Sequence, residues 1–244
     1  MSKRYWDEMN FPQPTDRELK ENAKATAKKA AKKGKDLHPV VITGRQITKS
    51  WWGNAWCNNL ERYADYDNRL PRGKRYVKTG SVVDLDIAKG KILARVQGTR
   101  KTPYKVEIRI SPLSEQQIQT ITDKCGKKVD NLSKLVSGDF PEELKEVFIG
   151  QGGLFPSPKE ISFNCSCPDW ALMCKHVAAV LYGVGARLDE DPLLFFTLRG
   201  IDTNRFVDVV IANRTEMMLA NVNKPSKRIL SDTSLSDIFG VIIE

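Results

Sequence analysis

The 244-residue sequence contains only five Cys and two His. So little cysteine cannot staple a disulfide scaffold, and a reducing, cytoplasmic setting is the expectation. No apolar run reaches the roughly 20 residues that a membrane-crossing helix needs. The stretch MSKRYWDEMNFPQP lacks the apolar centre of a secretory leader, so no membrane partner is expected. There is no G-x-x-x-x-G-K-[ST] phosphate loop and no C-x-x-C redox pair. The H-x-E and P-C-x-x-C elements of a zinc deaminase are missing too. No catalytic residue is assigned and a non-enzymatic protein is expected, although scattered carboxylates leave a metal-dependent nuclease open. No internal repeat is present.

Negative charge is scarce in two places. Lys and Arg total 39 against 30 Asp and Glu, a net charge of +9, but the excess is uneven. Residues 17–35 carry eight basic and two acidic side chains, and residues 69–109 carry twelve and three. Residues 110–244 are net acidic. A basic first half joined to a mildly acidic second half points to an anionic partner, nucleic acid above all.

Residues 15–35 combine helix-favouring Ala and Lys with one large apolar side chain, Leu19, and a stop at Gly34. They read as an exposed helix or a disordered basic arm, with Tyr5, Trp6, Met9 and Phe11 as an anchor. Val40–Ile42 reads as a short strand. Ser50 is placed to cap a helix reaching Tyr63, with Trp52, Trp56, Leu60 and Tyr63 on one face. The tryptophan run Trp51, Trp52 and Trp56 reads as packed core rather than as a surface on which bases stack.

Strict alternation over residues 81–110 predicts a three-stranded meander. Val83, Leu85 and Ile87, then Ile92, Ala94 and Val96, then Tyr104, Val106, Ile108 and Ile110 form its buried face. Asp84, Asp86, Arg95, Gln97, Lys105, Glu107 and Arg109 lie opposite. Arg69, Arg72, Lys74, Arg75, Lys78, Arg100 and Lys101 are assigned to the lead-in and loops. Helices are expected from Ser114 to Gly126, over residues 130–136 and over residues 141–148, with Gly150–Pro158 as a linker. An apolar-rich helix over 203–219, a polar linker at 221–228 and an amphipathic tail at 234–243 follow.

The chemistry concentrates in one place. Cys165, Cys167, Cys174 and His176 fall within twelve residues as C-x-C-x6-C-x-H. Seven Cys and His spread evenly would put fewer than one in such a window. Three thiolates and an imidazole match a closed tetrahedral zinc site, whereas catalytic zinc keeps a position open for water. Cys165 and Cys167 share one face of a strand over 160–163 and its end. Cys174 sits just ahead of a helix and His176 in its first turn, with Val177, Val180, Leu181, Val184 and Leu188 as the apolar stripe. Loss of the ion is expected to unfold residues 160–188 and spare the meander. His38 and Cys57 are read as unrelated to this site.

These four residues resemble the ligands of a SWIM zinc finger, C-x-C-x(n)-C-x-H. SWWGNAW at 50–56, RLPRGKRYVKTGSV at 69–82 and ARVQGTRKTPYKV at 94–106 resemble stand-alone bacterial and archaeal SWIM-domain proteins. The resemblance implies a short β-hairpin plus helix around one structural zinc ion, a DNA- or protein-binding role, and association with helicase-like ATPases of the Swi/Snf class. It gives the Lys-rich segment at 17–35 no place.

The expectation is therefore an α+β protein in four parts: a basic arm (1–38), an α+β basic module (39–149), the zinc finger (150–200), and a C-terminal helix and tail (201–244). Its role is read as accessory, binding nucleic acid without sequence preference, DNA rather than RNA. The contacts are expected from Arg69, Arg72, Lys74, Arg75, Arg95, Arg100, Lys101, Lys105 and Arg109. The alternative is a protein adaptor that touches no nucleic acid, with the tail at 229–244 docking on its own domain or in a partner's groove.

Overall fold

A computed structural model describes residues 13–128 and 142–221. The anchor at residues 5–11, the helix expected at 130–136 and the tail at 229–244 lie outside them. The elements run α1 (Asp16–Ala31), α2 (Trp51–Asn59) continued as a 3-10 turn Leu60–Tyr63, α3 (Arg69–Lys78), β1 (Val82–Ala88), β2 (Lys91–Val96) and β3 (Tyr104–Ile110). Then come α4 (Glu115–Lys128), a 3-10 turn Glu142–Leu144, α5 (Lys145–Ile149), β4 (Ile161–Cys165), α6 (Lys175–Glu190), α7 (Leu194–Leu198) and α8 (Thr203–Asn221). The α+β class and the meander are as the alternation implies. Four antiparallel strands form one sheet in the order β1-β2-β3-β4.

β4 carries the first metal-ligand candidate and joins the sheet through β3, pairing Ile110 with Ile161 and Val106 with Cys165. The antiparallel partner implied for the finger is thus supplied from upstream. The zinc segment and the basic meander share a sheet, and one hydrophobic cluster runs from Leu19 through the sheet and α6 to Phe206.

Helix α6 is the centre of that cluster. An amphipathic stripe was expected, but Val177–Ala186 are buried almost without a break because α2 and α3 cover the side away from the sheet. The helix needs small residues where others cross it. At Gly73 of α3 an added Cβ would sit 2.5 Å from the Cβ of Ala178, so only glycine lets the two backbones approach this closely. The indole of Trp56 donates to Leu181 O at 2.9 Å, and Asp189 accepts the backbone N–H groups of Lys49 and Ser50, tying the end of α6 to the start of α2. The tryptophan-rich run is core, as expected: Trp56 is fully buried and Trp51 packs edge-on against Phe148.

Several local expectations change. Residues 69–78 are helix α3 rather than an irregular lead-in; Pro71 is tolerated in the first turn, where its missing N–H has no intrahelical partner. Val40–Ile42 is not a strand, although Val40 donates to Val82 O and Leu85 to His38 O, because Pro39 cannot extend the ladder. α4 runs through Gly126 to Lys128. At the start of β1 a register shift between Val82 and Asp84 buries both Val82 and Val83.

The Lys-rich segment acquires a place. Thr15 and Glu18 form a reciprocal capping box, and α1 docks through Leu19, which is 0% exposed, and Ala23. Asn22 donates to Gly98 O, Thr26 donates to Gln97 Oε1 at 2.8 Å, and Arg75 of α3 grips Asp16 and Pro14 O. The remaining lysines of α1 face solvent.

Arg199 was not singled out by the sequence. It is fully buried between α7 and the sheet, donating to Ser111 O at 2.9 Å and to Glu160 Oε1 at 2.6 Å. Burial alone raises the Glu160 carboxyl, but Arg199 and the Ser157 N–H outweigh it and hold the group below its usual range.

Candidate metal centre

Backbone pairing brings the ligands together. Beyond the last residue of β4, Ser166 donates its N–H to Lys105 O and accepts Lys105 N–H on its hydroxyl at 2.9 Å. Ser166 therefore faces β3 and outward, and its neighbours Cys165 and Cys167 turn to the opposite side. The chain then crosses over and returns so that Cys174 is the N-cap of α6 and His176 lies in its first turn. The N-terminal pole of a helix favours a thiolate at that position.

Cys165, Cys167, Cys174 and His176 place their donor atoms within 4.8 Å of one another. His176 Nδ1 is 3.9 Å from both Cys165 Sγ and Cys174 Sγ. Tetrahedral coordination with Zn–S near 2.3 Å and Zn–N near 2.0 Å gives edges of about 3.5–3.8 Å, so the set fits one zinc ion with little adjustment. The facing nitrogen is Nδ1.

The surroundings favour the ligand forms. The N–H of Cys167 serves the Cys165 sulfur, that of Asp169 the Cys167 sulfur and that of Val177 the Cys174 sulfur. Such backbone donors stabilise negative sulfur and orient it. The hydrogen bond shared by Cys165 and Cys174 lowers the Cys174 thiol and raises that of Cys165; a bound dication would replace the shared proton. Burial lowers the His176 pKa and keeps the ring neutral, as a metal ligand must be. The ring is stacked on Tyr104, with centroids 4.1 Å apart, and met edge-on by Tyr76. His176 Nε2 is buried and makes no hydrogen bond among the described residues.

This is a Cys3His centre suited to one zinc ion, with all four donors supplied by the chain: a zinc finger built into the body of an α+β domain. Residues 164–184 match the family model described as SWIM zinc finger, so the centre is a SWIM finger. The chain is similar to the uncharacterized protein Rv2102 of Mycobacterium tuberculosis, 35% identical over 172 residues. The match covers 70% of this chain and 62% of that relative, so the chain spans less than two thirds of its length. No solved structure matches the chain significantly.

The nine basic candidates are not brought onto one surface. Arg69, Arg72, Lys74 and Arg75 lie on α3, Arg100 and Lys101 in the loop after β2, and Arg95, Lys105 and Arg109 on the outer face of the sheet. Four of the nine hold a carboxylate: Arg69 with Asp169 (3.2 Å), Arg75 with Asp16, Arg95 with Asp84 (3.6 Å) and Arg109 with Glu107 (2.8 Å). Gln97, expected on the polar face, is buried and shapes the loop by donating to Gly98 O and Arg100 O. Arg100 lies over the ring of Tyr104, 5.0 Å from its centroid.

Cys57 and His38 lie away from the centre. Burial pushes the Cys57 thiol up to about 11, which keeps it protonated and unreactive. His38 Nδ1 meets Asp86 Oδ1 at 2.7 Å, and this hydrogen bond, reinforced by the carboxylate charge, raises the imidazole pKa above 6.5. A group raised on folding contributes its stabilisation below its unfolded pKa and loses it as pH climbs through the folded one. An NMR titration of His38 is expected to show a midpoint above 6.5 that falls in Asp86→Asn. An identical midpoint in the two proteins would refute the link.

Proposed function

We propose that this zinc-finger protein is a non-enzymatic accessory factor that binds nucleic acid, DNA in preference to RNA, through a basic surface beside the metal centre and serves a helicase-like ATPase. The observation that carries this reading is an uncompensated patch. α1 is tied to α3 through Arg75 and to the loop at 97–101 through Asn22 and Thr26, so three basic segments adjoin. Lys20, Lys24, Lys28, Arg72, Arg100 and Lys101 have no carboxylate partner among the described residues. Such a surface attracts a polyanion without reading its sequence.

The ATPase partner rests on the resemblance to SWIM-domain proteins. A purely structural ion supports the non-enzymatic role, since four protein donors complete a tetrahedral shell.

A salt titration tests the binding. About six phosphate contacts predict a slope near −5 in log affinity against log salt for duplex DNA. Affinity is then expected to fall about 1000-fold between roughly 50 and 200 mM salt. Absence of binding at the lower concentration would overturn the reading.

A further inference from the structure

The most exposed aromatic side chain among the described residues belongs to the finger itself. Between Cys167 and Cys174 the crossover presents Trp170 at 80% exposure and Leu172 at 76%. This indole is held outward by a backbone with several anchors. Asp169 accepts Ala171 N–H and pairs with Arg69 of α3, while Asp65 accepts Leu172 N–H at 2.7 Å and Met173 N–H at 3.2 Å. Tyr66 meets Trp170 edge-on with centroids 5.4 Å apart, and the Arg69 guanidinium lies 5.8 Å from the Tyr66 ring. The crossover is therefore anchored at its backbone, with its aromatic side chain outermost.

Its position gives the occupant. Trp170 sits where α3 begins, and α3 carries Arg72 toward the side where Arg75 grips α1, whereas Lys74 lies over the Tyr182 ring of α6. Of the acidic groups near the platform, Asp65 and Asp169 are taken up by the backbone and by Arg69, while Asp67 beside Tyr66 is exposed. An aromatic face leading onto a cationic track is the arrangement that holds single strands: bases stack on the rings while phosphates follow the charge. A base paired within a duplex cannot offer its face.

We infer that Trp170 is a stacking platform for an unpaired base, and that the nucleic-acid site is built for single-stranded or locally opened substrate. This rests on the nucleic-acid reading above and adds the form of the substrate to it.

The test compares fluorescence anisotropy of labelled oligothymidylate, about 20 nucleotides long, with that of a duplex of equal length. Wild-type protein, Trp170→Ala and Trp170→Phe are measured, each with its zinc content and melting temperature. Because Trp170 is so exposed, both variants are expected to keep the metal and the fold. Trp170→Ala should weaken single-strand binding roughly 10- to 100-fold and leave duplex binding within about twofold, and Trp170→Phe should restore most of the loss. Equal single-strand affinity in wild type and Trp170→Ala overturns the inference while leaving phosphate binding intact. Equal affinity combined with loss of a co-purifying protein in Trp170→Ala would also overturn it, and would assign the platform to a protein partner. Failure of the wild-type protein to bind either probe removes the underlying reading as well.

Discussion

Chelation of the zinc is expected to unfold the described domain as a whole, not a detachable finger. Binding at a Cys3His site is worth about 10–16 kcal/mol in small finger peptides, against a typical domain stability of about 5–15 kcal/mol. Where that energy acts decides how far the damage spreads. Cys174 begins α6, which is packed against α2, α3 and all four strands. Cys165 ends β4, which closes the sheet. Without the ion, three sulfurs and a neutral imidazole remain crowded beside Tyr104 and Tyr76 at the junction of helix and sheet. The expectation that the meander survives is therefore replaced: its apolar face is covered by α6 itself. The purified protein should contain one zinc per chain, and circular dichroism should show loss of helix and sheet together on chelation. Cys174→Ser should behave like the chelated protein and Cys57→Ala like wild type. A chelated protein that melts as sharply as before would show that the ion does not organise the fold.

Reversing the unpaired cations is expected to abolish nucleic-acid binding without harming the fold. Lys24→Glu, Arg72→Glu, Arg100→Glu and Lys101→Glu together remove about four phosphate contacts, which should lower the salt slope by about 3–4 and the affinity by at least ~1000-fold at moderate salt. Arg75 is left out on purpose, because it holds Asp16 and Pro14 O and its loss would release α1. On the outer face of the sheet, Arg95→Glu and Arg109→Glu should have much smaller effects, since Asp84 and Glu107 already answer those charges. Filter binding on the two sets separates them. Equal losses from both would mean that overall charge, not the patch beside the finger, sets the affinity.

The metal centre was legible in the sequence because ligand chemistry imposes residue types at short, regular spacings. C-x-C on a strand end and C-x-H at a helix start each place two donors through local geometry alone, and their clustering stands out against five Cys in 244 residues. The meander was legible for a similar reason, since burial of one face imposes a period of two. The basic block showed its charge but not its use. Asp169 neutralises Arg69 from a hundred positions away, and no periodicity announces such a pair.

Other features were hidden by weak local signals that tertiary contact overrides. Gly73 and Pro71 read as loop residues, yet α3 forms because it packs along α6 and the glycine permits the close crossing. α1 shows no apolar stripe, and a single buried leucine with a few polar ties is enough to dock it. Trp170 looks like any tryptophan in the sequence; its exposure follows from the way Asp65 and Asp169 hold the crossover backbone.

Taken by itself, the sequence determined the ion-binding residues, the alternating strands and the sign of the charge, all of which follow from neighbours a few positions apart. Only the tertiary structure decided that the finger's strand completes the meander's sheet, that α6 is enclosed, and which cations and which indole are left facing water. Those outcomes depend on partners distant in the chain, which meet only once the apolar faces have packed.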